Sequence, residues 1–178
     1  MDAKTIVDFW ALAGAARWFT RDAAFDGALA VRFGDALRQA RLGAFNHWGE
    51  TPEGALGLVI LLDQVSRNIN RGSALAFAGD ARALALAKAS VSRRYHQILI
   101  PPLARWLIMP FEHAEDLDAQ QRAVALFGTM GLSDMVYYAQ MHLEIIGRFG
   151  RFPHRNPVLG RKSTAAEIAF LQAGGFAG

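Results

Sequence analysis

Cysteine is absent from the chain. That excludes disulfides, thiolate metal ligands and cysteine nucleophiles together, and nothing suggests an oxidising compartment. Long apolar runs are missing too: stretches such as 58–62 fall far short of the roughly 20 residues a membrane-crossing helix needs. The start Met1-Asp2-Ala3-Lys4 lacks the basic, apolar and small-residue sections of a secretory signal. A cytoplasmic protein with no membrane partner is the expectation. Charge of one sign is scarce as well, with 19 Lys and Arg against 16 Asp and Glu for a net +3. No zinc-finger spacing, RNA-binding aromatic signature or helix-turn-helix accompanies the small basic surplus, so nucleic acid is disfavoured as a partner.

What is present is apolar and helical. A chain of 178 residues at 52% hydrophobic content suffices for one domain with a sizeable core, and residues 1–178 are read as that single helical domain. Ala, Leu, Arg and Gln are abundant, and breakers fall at intervals that suit helices near 3–12, 23–42, 53–70, 74–95, 97–108, 116–131, 134–149 and 164–173. No strand is required, so the fold class is all-α. Pro52 suits a first helical turn, Pro101-Pro102 and Pro110 interrupt the region between two helices, and Thr164-Ala165-Ala166-Glu167 reads as a capping box. The amino-terminal aromatics Trp10, Trp18, Phe19, Phe25 and Phe33 are expected in the core.

The third helix is two-faced. On a 100° wheel Leu58, Leu61, Leu62, Val65 and Ile69 share one sector, while Asp63, Gln64, Arg67, Asn68 and Arg71 share another. The polar sector reads either as a solvated face with an Asp63–Arg67 pair at i, i+4 or as the wall of a cleft. In the second case Arg67 and Arg71 hold an anion and Asp63 fixes one guanidinium.

The basic excess concentrates in 148–162, where Pro153 and Pro157 fix φ and Gly150 and Gly160 permit unusual φ. Arg151, Arg155 and Arg161, with Asn156, are placed to recognise an oxyanion, and the acidic residues at 112, 115 and 116 are available as counter-charge. Near them, Pro110-Phe111-Glu112-His113-Ala114-Glu115-Asp116 sets a histidine among carboxylates. His113 with Glu112, or His154 in the loop, is a candidate acid–base group. A metal is not expected, because no second histidine stands at ligand spacing. His142, on a face with Tyr138, Ile145 and Phe149, reads as a buried, hydrogen-bonded histidine.

These segments together resemble the bacterial family catalogued as domain of unknown function 924. The resemblance is carried by Leu62-Asp63-Gln64, Arg67-Asn68, Arg71-Gly72, Ala76-Phe77 and Asp80. It continues through Pro110-Phe111-Glu112-His113, Glu115-Asp116, Gln120, His142, the run 149–156, Leu159-Gly160-Arg161 and Ser163-Thr164 with Glu167. Trp10, Trp18-Phe19, Phe25-Asp26, Phe33 and Trp48-Gly49 extend it to the amino-terminal part. Val65-Ser66 and Asn70 depart from the family's Phe-Pro and Phe. The resemblance implies stacked antiparallel helix pairs of tetratricopeptide-like form, and no established activity.

Two functional readings follow. One is a non-enzymatic binding module whose polar and basic groove takes an anionic small molecule or a partner segment. The other is an enzyme acting on an anionic substrate, with Arg67, Arg151, Arg155 and Arg161 holding charge and His113 or His154 moving a proton. The sequence names no cofactor. Convergence of Asp63, Glu112, His113 and the 151–161 loop on one pocket would favour a ligand site; mutual pairing would favour a structural network.

Overall fold

Capping side chains set several of the helix starts. In the computed structural model, which describes residues 1–177, the Asp2 side chain accepts the Thr5 N–H to open α1 (Ala3–Ala13). Asp22 accepts from Ala24 and Phe25 to open α3 (Ala23–Arg41), after the short α2 (Ala15–Trp18). Thr51 caps α4 (Pro52–Val59), with Pro52 in the first turn. The same rod continues through a π-helical segment, Ile60–Val65, into α5 (Ser66–Ile69). After α6 (Asp80–Ser92), the left-handed Arg94 breaks the chain before α7 (Tyr95–Ile98). There follow α8 (Pro101–Glu112), α9 (Leu117–Thr129) capped by Asp116, and α10 (Ser133–Phe149). The expected capping box of Thr164 and Glu167 opens α11 (Ala165–Gln172).

Among the described residues there is no strand, and the chain is all-α as its periodicity implies. Differences lie at boundaries. The stretch read as one helix over 74–95 is a 3-10 turn at Ala74–Phe77 followed by α6, because Gly79 separates them. Pro101 and Pro102 open α8 instead of interrupting it, since a first turn has no intrahelical use for their missing N–H, and Pro110 is accommodated inside that helix. No helix among the described residues is long and apolar enough to cross a membrane.

The chain forms two compact units: 1–71 with 75–110, and 72–74 with the chain from Phe111 onward. In the first, α4 and the π-helical segment are the buried axis; Ala55, Leu56, Val59, Ile60, Leu61 and Val65 have no exposed surface. Helices α1, α3 and α6 pack on it. Trp10, Phe25 and Phe33 are buried as expected. Phe19 is not: it remains 60% exposed, lying nearly parallel to Trp106 at 5.7 Å and covering that buried indole from outside. Half-buried Trp18 meets Trp106 edge-on at 5.2 Å. In the second unit α9 and α10 form a hairpin, and Ile145, Ile146 and Phe152 nucleate a cluster that Phe149, Phe170 and Phe176 complete.

One glycine fixes how α6 meets the axis. A Cβ at Gly79 would stand inside the van der Waals envelope of the Leu62 carbonyl oxygen, a backbone atom that cannot rotate away. Gly79→Ala is therefore expected to cost about 1–3 kcal/mol by overpacking. Chemical denaturation checks this, and a neutral result would show that α6 slides without penalty.

Candidate functional site

Asp63 is carried inward by the π-helical segment and has no exposed surface. Its Oδ1 lies 2.8 Å from Arg67 Nη1, and its Oδ2 accepts from Gln64 Nε2 at 2.5 Å. The Arg67 fork then reaches Asp80, at the start of α6, with two bonds of 2.9 and 3.0 Å, and its Nη1 also donates to the Asp63 carbonyl. Phe77 underlies the guanidinium, 5.6 Å from ring centroid to Cζ. Desolvation alone would lower the pKa of Arg67; the carboxylates of Asp63 and Asp80 outweigh it and raise the value. One turn on, Asp26 of α3 accepts from Asn68 Nδ2 at 2.7 Å and from Arg71 Nε at 2.6 Å. The polar sector of this helix thus turns two arginines onto two aspartates of other helices.

The basic loop forms the second network. Arg161 grips Glu115 with bonds of 2.5 and 2.9 Å and also donates to Asn156 Oδ1. The Phe152 N–H adds a third bond to Glu115, at 2.8 Å. Burial by itself would raise the Glu115 pKa, and these donors overcome it to hold the carboxyl below its usual range. Arg151 clasps Glu167 with bonds of 2.6 and 2.9 Å, while Asn156 Nδ2 and the Thr164 N–H approach the same carboxylate. Chiefly through Arg151, the Glu167 pKa falls to about 2. Arg155 is buried, donates to the His113 carbonyl at 3.0 Å and stands 4.4 Å above the centre of the Phe152 ring.

The structure gives Glu112 a different companion from the neighbouring His113. Glu112 Oε1 lies 3.1 Å from His142 Nδ1, both residues buried, and Gln120 Nε2 donates to the Glu112 and Ala114 carbonyls. His142 is buried as expected, but neither ring nitrogen makes the hydrogen bond expected of it, and its polar neighbour is a carboxylate that helical spacing could not reveal. The His154 ring packs against Phe152 and Phe176 at 5.6 and 5.3 Å. Asp63, Arg67, Asn68 and Arg71 belong to the first unit; Glu112, His113, Arg151, His154, Arg155, Asn156 and Arg161 belong to the second. Among the described residues, no group of three or more His, Asp and Glu is placed to hold a metal ion.

One cation of the basic stretch has a different setting. Arg148 is exposed and lies over the rings of Phe149 and Phe170, at 4.7 and 5.7 Å from their centroids. Its guanidinium makes no hydrogen bond or ion pair with any described residue. It borders an open cleft of about 490 Å³, together with Phe149, Arg151, Thr164, Ala166 and Glu167. The sequence places Arg148 in the basic run with nothing to single it out, because only tertiary pairing distinguishes it from Arg151 and Arg161.

An all-α chain without cysteine, pinned by arginine–carboxylate clusters in each of two units, is the class that fold and geometry define. The model of the family described as a bacterial protein of unknown function (DUF924) matches residues 6–175, and the chain belongs to that family. A solved structure of a protein of unknown function from Agrobacterium tumefaciens is 42% identical, with a TM-score of 0.92 over 96% of this chain and 97% of that one. None of the curated proteins matches the chain.

Proposed function

We propose that this protein is a non-enzymatic binding module whose second unit takes a small molecule bearing a carboxylate or phosphate. The observation that supports the reading is Arg148: a solvent-facing guanidinium on an aromatic shelf, at the edge of a cleft of small-molecule size. Arg67, Arg71, Arg151 and Arg161 support it by contrast. Their forks are turned onto Asp80, Asp26, Glu167 and Glu115, so recognition falls to a cation that the internal network leaves outside, here Arg148 at the cleft. The Phe149 and Phe170 rings beneath Arg148 restrict its side chain, which lowers the entropy lost on binding.

Thermal unfolding with citrate or pyrophosphate, against sodium chloride of equal ionic strength, tests the reading. The parent midpoint is expected to rise with either polyanion, and Arg148→Ala to abolish the rise. The unliganded stability of that variant should change by no more than about 1 kcal/mol, because the side chain contributes only exposed ring contacts. A parent that does not respond, or a variant that responds equally, refutes the site. A response to an acidic peptide but to neither small anion would reassign the cleft to a protein segment.

A further inference from the structure

Glu112 and His142 form a buried pair whose bonding is incomplete. They are 2% and 6% exposed, and the 3.1 Å contact between Oε1 and Nδ1 is bent away from a linear hydrogen bond. The other carboxylate oxygen, Oε2, and the other imidazole nitrogen, Nε2, are also buried, and neither makes a hydrogen bond. Buried polar atoms are normally satisfied, so three without a hydrogen bond on one touching pair, Glu112 Oε2 and both His142 ring nitrogens, mark a place where a further group belongs. The carboxylate Oε2 accepts, and so does the unprotonated nitrogen of a neutral imidazole, so a group that donates satisfies either position.

Two rings flank the His142 imidazole. Phe176 stands 4.6 Å from the His142 ring at 62° and 5.3 Å from the His154 ring at 78°, the edge-to-face geometry in which aromatic rings enclose one another. Phe152 closes the far side, 5.2 Å from His142. The tail delivers Phe176 through Gly174, at φ 81°, and Gly175, where a side chain would press on the Phe170 ring. Among the described residues the last backbone hydrogen bond of this tail runs from the Gly175 N–H to the Phe170 carbonyl. Gly174 and Gly175 give the backbone that leads to Phe176 the torsional freedom to move this ring relative to His142.

We propose that this slot is a binding site for a small aromatic molecule carrying an O–H or N–H donor, of the phenol class, and that Phe176 occupies the ring's place in the free protein. The ligand ring takes the position between the two imidazoles, and its donor reaches His142 Nε2 or Glu112 Oε2, which a phenylalanine cannot satisfy. Occupancy swings the tail outward, so binding here is coupled to exposure of residues 174–177. The site is separate from the Arg148 cleft in chemistry, since it selects an uncharged donor over an anion.

Phenol and toluene, alike in ring and different in donor, are the probes. Titrated into ¹³C,¹⁵N-labelled protein, phenol is expected to shift the His142 imidazole and Phe176 ring resonances saturably, and toluene to do so more weakly. Phe176→Ala, checked for helix content by circular dichroism, removes the competing ring and should bind phenol about tenfold more tightly than the parent, because the open state no longer has to be selected. Glu112→Gln should narrow the preference for phenol over toluene. Equal shifts with the two probes, no saturable shift in the parent, or a folded Phe176→Ala that binds no better than the parent overturns the proposal. Should Phe176→Ala fail to fold, the parent titration alone decides.

Discussion

Arg67→Ala is expected to destabilise the first unit by about 3 kcal/mol, because it withdraws one cation from two carboxylates at once. Asp63 has no exposed surface and cannot turn to water, while Asp80 has its two oxygens aligned on the guanidinium fork. About a sixth of the Arg67 side chain still reaches solvent, with 18% exposed, which places the cost at the lower end for a broken buried pair. A drop of roughly 6–12 °C in melting temperature should accompany it. All four tryptophans, Trp10, Trp18, Trp48 and Trp106, lie in the first unit, so their fluorescence reads this unit specifically. Arg67→Lys should recover only part of the loss, since an ammonium keeps the charge but cannot make the two parallel bonds to Asp80. A loss below about 1 kcal/mol for Arg67→Ala would show that hydration replaces the guanidinium and that the network is not structural.

How much of this was legible in the sequence depends on the range of each interaction. The all-α class follows from the 3.6-residue period and from caps such as Thr164 with Glu167, which are local and keep their meaning in any fold. The Asp63–Arg67 contact was legible for the same reason, being one helical turn long. Asp80 and Asp26 reach the same helix from elsewhere in the chain, and spacing carries no information about such pairs. Counter-charge for the loop was expected from residues 112, 115 and 116; Glu115 supplies it to Arg161, whereas Asp116 caps α9 and Glu112 faces His142. Glu167 looked like an ordinary capping residue. It also neutralises Arg151, a double role that appears only when the loop is folded back on α11. The π-helical turn that sets Asp63 inward has no signature in the apolar run 58–62, because one extra residue per turn leaves composition unchanged.

That double role makes the second unit sensitive to acid. The Glu167 carboxyl has an ordinary value of 4.5 and a folded value of about 2, lowered first by Arg151 and then by the Thr164 N–H. A group depressed on folding binds its proton more readily in the unfolded chain. It therefore contributes fully above about pH 4.5, and the contribution disappears as pH falls through about 2. The whole shift corresponds to about 3 kcal/mol. Arg151, its main partner, is 28% exposed and screened by solvent, so about 2 kcal/mol is the expected loss between pH 5 and 2.5. Glu115 is depressed as well and acts in the same direction. Hydrogen exchange at the amides of 151–161 and α11 should accelerate over this window. Glu167→Gln should begin less stable at pH 7, because a neutral amide weakens both the Arg151 clasp and the cap, and it should lose less on acidification because the titrating group is gone. If parent and variant show the same acid slope, Glu167 does not link proton binding to the fold, and the clasp with Arg151 contributes no more than an exposed ion pair.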